Sequence, residues 1–142
     1  PVYLMAVLKT VFLYFRAPKL EITLDGESFT QRSLMTSIMN GRRLGGGFMT
    51  APEGDPGDGW FDLCIVSEAT RLRLFQLIPL FLKGTQATQP EIKMKRAKKV
   101  KVLALDGTLP VHADGETLCY QGKDLELELI PGALDFITIP KS

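Results

Sequence analysis

The chain has 142 residues, of which 45% are hydrophobic and 23% are charged, and its formal net charge at pH 7 is +1. This length fits one domain with a single core, and the composition argues against a disordered chain. A charge this close to zero gives no indication of nucleic-acid binding. Cys64 and Cys119 are too few for a disulfide framework, so we expect buried free thiols in a reducing cytosol.

The first segment, PVYLMAVLKTVFLYFRAP, is an apolar stretch that ends at Pro18. Its apolar run of about 15 residues is shorter than the roughly 20 that a membrane-spanning helix needs. Leu4, Leu8, Val11 and Phe15 recur at helical spacing, and proline ends the helix because the residue before it avoids helical backbone. We expect a helix that is buried or lies at a domain interface, and a lipid-facing helix is the alternative.

After Pro18 the spacing of the apolar residues becomes alternating. In KLEITLDGESF, apolar and polar residues alternate, and Asp25-Gly26 predicts a hairpin turn. Further strands are predicted in LMTSIMN, WFDLCIV, KKVKVLAL, TLPVHA, ETLCYQ, DLELELI and DFITI. Short strands between turns are typical of antiparallel sandwiches. We therefore predict a mainly β, antiparallel β-sandwich-like domain over residues 1–142, with an N-terminal helix and one inserted helix.

The inserted helix is predicted in SEATRLRLFQLIPLFLKG. Ser67 is the candidate N-cap, Glu68 would lie in the first turn, and Gly84 follows the end. Pro79 should kink or divide the helix. The helix carries an apolar stripe that we expect in the core, with a lipid pocket as the alternative: Leu72, Phe75, Ile78 and Leu82.

Several familiar catalytic signatures are absent from the sequence. His112 is the only histidine, which argues against multi-histidine metal sites and against a Ser/His/Asp triad. There is no GxxxxGK[ST] phosphate loop, and RRLGGGF does not match GxGxxG. A chain without a nucleotide cradle is not expected to transfer a phosphoryl group unaided.

Seven glycines lie between Asn40 and Asp62, together with Asp55, Asp58 and Asp62 itself. Clustered glycines indicate unusual backbone angles or the close approach of another group. Hard cations such as Mg²⁺ and Ca²⁺ prefer oxygen ligands, which aspartates and main-chain carbonyls supply. The segment DPGDGWFD is therefore a candidate cation loop, and ordinary Asp-Gly turns are the alternative.

A second acidic cluster lies in VHADGET, where Asp114 and Glu116 flank Gly115. Two carboxylates this close could supply a general base and a charged partner. An ordinary Asp-Gly hairpin is the alternative interpretation.

The run KMKRAKKVK is strongly basic. A strand-period pattern predicts one side that carries Lys93, Lys95, Lys99 and Lys101. We expect a solvated sheet face paired with Glu126 and Glu128, and attraction to anionic membrane lipid is the alternative.

Four segments in the same order resemble the C-terminal half of bacterial diacylglycerol kinase-like lipid kinases: NGRRLGGGFMTAPEGDPGDGWFDLCIV, LFLKG, LPVHADGE and LELELIPGAL. This family belongs to the superfamily of sphingosine kinases and, more remotely, NAD kinases. The resemblance covers nearly the whole chain and implies a β-rich domain packed against an α/β nucleotide-binding domain with a GGDGT motif. That motif is absent here, and a start at Pro1 is what a truncated chain would show.

The resemblance also implies roles for the glycine-rich segment. A structural Mg²⁺ would be held by Asp55, by the side chain of Asp58 and by the main-chain oxygen of Trp60. The turn of Gly45, Gly46 and Gly47 would lie close to the active cleft, where substrate or the partner domain approaches.

The acids of the DGE segment match the catalytic carboxylates of the family. Glu116 is the implied proton acceptor, and Asp114 is its close support or the alternative base. Spacing alone does not decide between them.

The function implied by the resemblance is that of the substrate-side half of an ATP-dependent lipid kinase, inactive alone, that transfers the γ-phosphate to a diacylglycerol-like hydroxyl. Mg²⁺ is the implied cofactor and ATP the co-substrate. The expected partners are its own N-terminal nucleotide-binding domain and a lipid substrate at the membrane surface, with a homodimer as a further mode and no nucleic acid. The expected location is cytoplasmic and peripheral to the membrane. The alternative is a non-catalytic β-sandwich binding module with a cation-stabilised loop.

Overall fold

The computed structural model of the protein describes residues 16–45 and 47–135. Within these ranges the strands are β1 (Lys19–Leu24), β2 (Glu27–Met39), β3 (Phe61–Ser67), β4 (Ile92–Ala97), β5 (Lys99–Ala104), β6 (Leu109–Ala113), β7 (Glu116–Gly122) and β8 (Asp124–Glu128). One α-helix, α1 (Arg71–Lys83), and a short 3₁₀ helix, Gln86–Thr88, lie between β3 and β4. The predicted N-terminal helix and residues 136–139 of the predicted DFITI strand lie outside the described residues.

The strands form a six-stranded antiparallel sheet in the order β4-β3-β2-β1-β5-β8, and β6 pairs with β7 in a separate hairpin. Strand β2 joins the two halves of the large sheet, because its first half pairs with β1 and its second half with β3. The register of β2 shifts between Ser33 and Met35, and such an irregularity lets a strand bend. The structure confirms a mainly β, antiparallel, sandwich-like domain with one inserted helix.

The predicted hairpin at Asp25-Gly26 is confirmed. Asp25 has φ 48° and Gly26 has φ 96°, which is the left-handed backbone that a tight two-residue hairpin requires. The Asp25 carboxylate also accepts hydrogen bonds from the main-chain N–H groups of Lys98 and Lys99, at 3.0 and 2.8 Å. The turn is thereby attached to the start of β5.

The core consists of two apolar clusters that share β3. The first lies on one face of the sheet and contains Leu20, Ile22, Leu63, Ile65, Ala97, Val100 and Val102. The second lies between the other face and α1 and contains Cys64, Val66, Leu77, Phe81 and Ile92. Because β3 is covered on both faces, its sequence is a nearly continuous apolar run instead of an alternating one.

Helix α1 begins later than predicted. Its N-cap is Thr70, whose hydroxyl accepts a hydrogen bond from the N–H of Arg73 at 3.2 Å. Ser67 is instead the last residue of β3, where its N–H donates to the carbonyl of Glu91, and Glu68 lies outside the helix. Sheet pairing therefore continues through the residue that we predicted as the cap.

The end of α1 agrees with the prediction, but its interior does not. Gly84 follows the helix with φ 73° and donates its N–H to the carbonyl of Leu80. Pro79 lies inside one continuous helix, so of the two predicted effects, a kink or a division, the division is wrong and the kink stays a prediction. In the part of the chain that the structure describes, no helix has the length and apolar character needed to cross a membrane.

None of the four residues of the apolar stripe predicted for the core is buried, and Phe75 and Ile78 are half-buried. Leu72 is 71% exposed and Leu82 is 44% exposed, whereas Leu77 and Phe81 are buried. The prediction was wrong for Leu72 and Leu82 because α1 is apolar on more than one side, and the side that faces β3 decides which residues are buried.

The basic run KMKRAKKVK forms two strands, β4 and β5, separated by Lys98. Lys93 and Lys95 lie opposite Ile65 and Leu63 of β3, so these lysines share a face with the first core cluster. Lys99 and Lys101 alternate with two buried valines of β5 and therefore lie on the other face. The expectation that the four lysines share one side is wrong, because it assumed one uninterrupted strand.

The expected pairing with the acids of β8 is confirmed for Lys99 and Lys101 and is wrong for Lys93 and Lys95, which lie on β4 opposite β3. Lys99 lies opposite Glu128, with 3.1 Å between the ammonium and carboxylate groups, and Lys101 lies opposite Glu126. The ion pair between Lys99 and Glu128 offsets one positive charge on this face.

The two cysteines are free, and only Cys64 is buried. The prediction of a buried thiol is wrong for Cys119, which lies exposed on β7. Strand β7 belongs to the separate hairpin, and its side chains are exposed almost throughout.

Candidate functional site

The acidic loop, defined here as residues 55–62, is the last part of the glycine-rich segment and includes the first two residues of β3. One carboxylate oxygen of Asp55 accepts a hydrogen bond from the N–H of Gly57 at 2.9 Å, and one of Asp58 accepts from the N–H of Trp60 at 3.0 Å. Each aspartate therefore closes a local turn through its Oδ1. This is the turn-forming role that the sequence left as the alternative, and it occupies one carboxylate oxygen of each residue.

A cation from the neighbouring strand reaches into the acidic loop. The guanidinium of Arg96 on β4 forms an ion pair with Asp58 Oδ2, and its Nε lies 3.3 Å from Oδ1 of Asp62. The same guanidinium lies 5.7 Å from the centre of the Trp60 ring, and the ammonium of Lys98 lies 4.7 Å from it. The loop thus joins two carboxylates, two cations and one indole.

Asp62 is the buried acid of the loop. Its side chain is 8% exposed, and its Oδ2 has no hydrogen-bond partner. Burial raises the pKa of Asp62 above its ordinary value, and the positive charge of Arg96 opposes this shift. A buried carboxylate oxygen without a partner is costly, so this atom is a natural position for a further positive or hydrogen-bonding group.

The chemistry of the acidic loop fits a hard cation. Carboxylate and main-chain oxygens are the required donors, and the unpartnered Oδ2 of Asp62 shows that the loop has an unused oxygen. Among the described residues, no group of three or more His, Cys, Asp or Glu side chains is arranged to hold a metal. A cation held by Asp55 and Asp58 would therefore also need main-chain oxygens, such as that of Trp60, or water.

The DGE segment forms the turn of the β6–β7 hairpin. Ala113 pairs with Glu116, and between them Asp114 has φ 50° and Gly115 has φ 87°. The predicted turn is confirmed, and both carboxylate residues, Asp114 and Glu116, are exposed. The structure therefore brings two carboxylates to one exposed turn, where either could accept a proton from a bound substrate.

His112 lies in the same hairpin. Its Nδ1 is 3.0 Å from the hydroxyl of Thr117, and the two residues are directly opposite each other in the pairing of β6 and β7. In this pairing Glu116 lies opposite Ala113, so His112 and Glu116 fall on opposite faces of the hairpin.

The glycine turn lies before the acidic loop. Leu44 donates its N–H to the carbonyl of Phe48 at 2.9 Å, and Gly47 has φ 91°. Gly45 and Gly47 are described, and Gly46 lies outside the described residues. Phe48 packs against the core cluster that includes α1, so the turn is anchored beside the helix.

Two residues that sequence reasoning missed hold this region together. Gln86 is fully buried, and its amide donates to the carbonyls of Met49 and Thr50 at 2.7 and 3.2 Å. Arg96 lies opposite Asp62 in the pairing of β3 and β4. Arg96 belongs to the basic run. Its contact with Asp62 could have been predicted only if the pairing of its strand with WFDLCIV had been known. An isolated glutamine after a helix has no sequence signal.

A cavity of about 460 Å³ opens beside the buried acid of the loop. Asp62, Arg96, Met94, Glu53 and Gly84 contribute to its walls. Asp62 lines this cavity, while its unpartnered Oδ2 is itself buried, so the cavity lies beside this side of the acidic loop.

Comparisons with known proteins show the family to which this chain belongs. The family model described as "YegS C-terminal NAD kinase beta sandwich-like domain" matches residues 2–138. A protein named "Diacylglycerol kinase" from Mycobacterium tuberculosis is 30% identical over 117 residues, which cover 82% of this chain and 37% of that protein. A "Probable lipid kinase YegS-like" from Shewanella frigidimarina is 29% identical over 130 residues, which cover 90% of this chain and 40% of that protein.

The fold is also found in a solved structure. A putative diacylglycerol kinase from Bacillus anthracis matches 89% of this chain and 44% of its own with a TM-score of 0.69 and 22% identity. At this identity the match shows a shared fold. The chain spans about two fifths of the length of the curated relatives described above.

Proposed function

We propose that this chain, which belongs to the family of YegS C-terminal NAD kinase beta sandwich-like domains, is the substrate-side half of an ATP-dependent lipid kinase. The substrate class is a diacylglycerol-like lipid with a free hydroxyl. Relatives named diacylglycerol kinase and lipid kinase support this class. The proposal includes a nucleotide-binding domain N-terminal to this one, which binds most of the ATP, and a cytoplasmic location at the membrane surface.

The observation that carries the proposal is the exposed Asp114-Gly115-Glu116 turn. The positive φ angles of Asp114 and Gly115 make a tight turn, after which Glu116 begins β7. A carboxylate on an exposed turn is open to an approaching substrate. It can therefore accept a proton as soon as a substrate hydroxyl comes within hydrogen-bond reach.

The proposed step is an in-line transfer of the γ-phosphoryl group. The lipid hydroxyl oxygen forms a bond to the γ-phosphorus while the bond from that phosphorus to the bridging oxygen of ATP breaks, and ADP leaves. The hydroxyl proton passes to Glu116, with Asp114 as the supporting acid or the alternative base. Phosphoryl transfer depends mainly on positioning and electrostatics, so this domain contributes the base and the surface on which the lipid is held.

The acidic loop has a structural role in this proposal. Asp55, Asp58 and the main-chain oxygen of Trp60 would hold Mg²⁺, which when bound would neutralise the loop and fix its shape. Gly45 and Gly47 leave the glycine turn without side chains, which would let the substrate or the second domain approach. The chain alone would lack the nucleotide site and would be inactive.

Substitution of the two acids tests the proposed base in the full-length parent protein. We expect Glu116→Gln or Asp114→Asn to lower kcat by at least about 100-fold for whichever residue accepts the proton, the lower end of a general-base contribution. The melting temperature should stay nearly constant, because the amide is isosteric and both side chains are exposed. Lipid phosphorylation at saturating ATP and thermal melts measure the two effects.

Glu126→Gln is the matched control, because Glu126 is an exposed carboxylate on β8, outside the proposed catalytic turn. It should keep parental turnover. If both hairpin variants also keep parental turnover, the proposed base is wrong. If either hairpin variant unfolds, the residue is structural.

A further inference from the structure

We propose that Arg96 is an internal counter-ion of the acidic loop, which competes with a divalent cation for Asp58 and Asp62. The inference rests on the cation loop of the proposed function and not on its kinase chemistry. It assigns to Arg96 a role in setting the affinity of the loop for metal.

The geometry places one guanidinium between two carboxylates. Arg96 forms an ion pair with Oδ2 of Asp58, and its Nε lies 3.3 Å from Oδ1 of Asp62. The other carboxylate oxygen of Asp58, Oδ1, accepts a hydrogen bond from the N–H of Trp60. Both oxygens of Asp58 are therefore occupied, one by the turn of its own loop and one by Arg96.

Asp62 supplies a second, independent observation. Its side chain is only 8% exposed, and its Oδ2 has no hydrogen-bond partner. Arg96 thus satisfies only one of the two oxygens of this buried acid. The free oxygen is buried and belongs to a residue that lines the 460 Å³ cavity, so it is an unsatisfied acceptor that a cation entering the loop would neutralise.

Competition follows from charge and from shared atoms. A carboxylate oxygen that accepts a guanidinium N–H has less electron density to offer a metal, and two cations a few ångströms apart repel each other. A divalent ion that takes Oδ2 of Asp58 must therefore displace Arg96 at least from that oxygen. The apparent affinity of the loop for metal is then its intrinsic affinity multiplied by the fraction of molecules in which Arg96 has left the carboxylates.

The Trp60 ring and the solvent offer the Arg96 guanidinium an alternative environment when it leaves the carboxylates. Its side chain is 48% exposed, and the Trp60 ring lies 5.7 Å from its guanidinium carbon. Aromatic faces attract cations, and guanidinium groups stack on them readily. The displaced side chain can keep its contact with the indole while it gives up both ion pairs.

The experiment is a Mg²⁺ titration of the complete 142-residue chain, followed by calorimetry and by tryptophan emission. Trp60 is the only tryptophan and lies next to Arg96, so its emission reports a change in the position of the guanidinium. We expect Arg96→Gln to bind Mg²⁺ about 2- to 6-fold more tightly than the wild type, the range expected when an ion pair of ordinary exposed strength no longer competes.

Lys98→Gln is the matched control. Lys98 lies over the same ring, and it forms no ion pair with a carboxylate of the described residues. It should bind Mg²⁺ with the affinity of the wild type. Arg96→Lys is the second variant, for use if Arg96→Gln does not fold. A single ammonium bridges the two carboxylates less well, so we expect about 2-fold tighter binding than in the wild type.

Unchanged or weaker Mg²⁺ binding by a folded Arg96 variant overturns the proposal, because Arg96 would then be neutral toward the metal or would help to organise its site. Absence of Mg²⁺ binding in the wild type and the variants overturns it as well. The titration needs neither ATP nor lipid. An inactive full-length parent would therefore contradict the proposed kinase function and leave the role of Arg96 intact.

Discussion

Cys64 and Cys119 have opposite environments although both lie on strands of similar apolar sequence. Cys64 is fully buried in β3, between the sheet and α1, and burial raises the pKa of its thiol to about 12. Cys119 is exposed on β7. Only a thiolate reacts quickly with disulfide reagents, so the two residues should differ strongly in reactivity.

We predict that the native chain reacts with one equivalent of an aromatic disulfide reagent at pH 8, and with two equivalents after unfolding. Absorbance of the released thiolate measures both values. Cys119→Ser should remove the fast reaction, and Cys64→Ser should leave it unchanged. Rapid reaction of two thiols in the native chain would contradict the burial of Cys64.

Local sequence predicts the burial or exposure of one acidic residue, Asp114, but not that of another, Asp62. Asp114 lies in an Asp-Gly turn, and the turn chemistry alone predicted its exposed position. Asp62 lies in the strand segment WFDLCIV, and its burial depends on which strand lies beside β3. Its contact with Arg96 joins residues that are 34 positions apart, and no local pattern indicates such a pair.

At the scale of single elements, the end of α1 combines a local and a tertiary requirement. Gly84 has φ 73°, a left-handed angle that glycine adopts without strain. A Cβ at this position would also lie 3.2 to 3.3 Å from atoms of Met49 and Pro52. The helix end is therefore packed against the segment that follows the glycine turn.

We predict that Gly84→Ala lowers the free energy of unfolding by about 2 kcal/mol, from the left-handed angle together with overpacking against Met49 and Pro52. Gly132→Ala is the matched control. Gly132 has φ 66°, and nothing lies within 4 Å of a Cβ built on it, so we expect a loss of about 1 kcal/mol from backbone strain alone. Urea unfolding of both variants measures the difference. Equal decreases in the free energy of unfolding would mean that Met49 and Pro52 move aside for the new Cβ at no energetic cost.

Strand β4 shows the limit of pattern reasoning for an element. The basic residues of KMKRAKKVK predicted a strand, but the break at Lys98 and the pairing of β4 with β3 came only from the structure. Alternation tells which residues share a face of one strand. It does not tell which face is covered, because that depends on the neighbouring strand and the layer above it.

At the scale of the whole molecule, the proposed function assigns this domain only one side of an active cleft. The sequence has neither a GxxxxGK[ST] phosphate loop nor a GxGxxG motif, and phosphoryl transfer depends on holding the nucleotide in position. We predict that the isolated chain shows no lipid phosphorylation above background and no measurable ATP binding.

Calorimetry with ATP and Mg²⁺, and a radiolabelled phosphate transfer assay on diacylglycerol in mixed micelles, measure these two expectations. The full-length parent is the positive control and should be active under the same conditions. Robust ATP binding by the isolated chain would mean that the nucleotide site lies within this domain. An inactive parent would contradict the proposed lipid kinase function itself.

The sequence by itself determined the fold class, the Asp25-Gly26 and Asp114-Gly115 turns and the end of α1 at Gly84. These features depend on alternation, on left-handed backbone angles and on proximity along the chain, all of which are local. The tertiary structure alone decided that Leu77 and Phe81 of α1 are buried instead of Leu72 and Leu82. It also decided that Arg96 lies between Asp58 and Asp62. Both outcomes depend on contacts between segments that are distant in sequence, and the energy of such contacts exists only once the strands have paired.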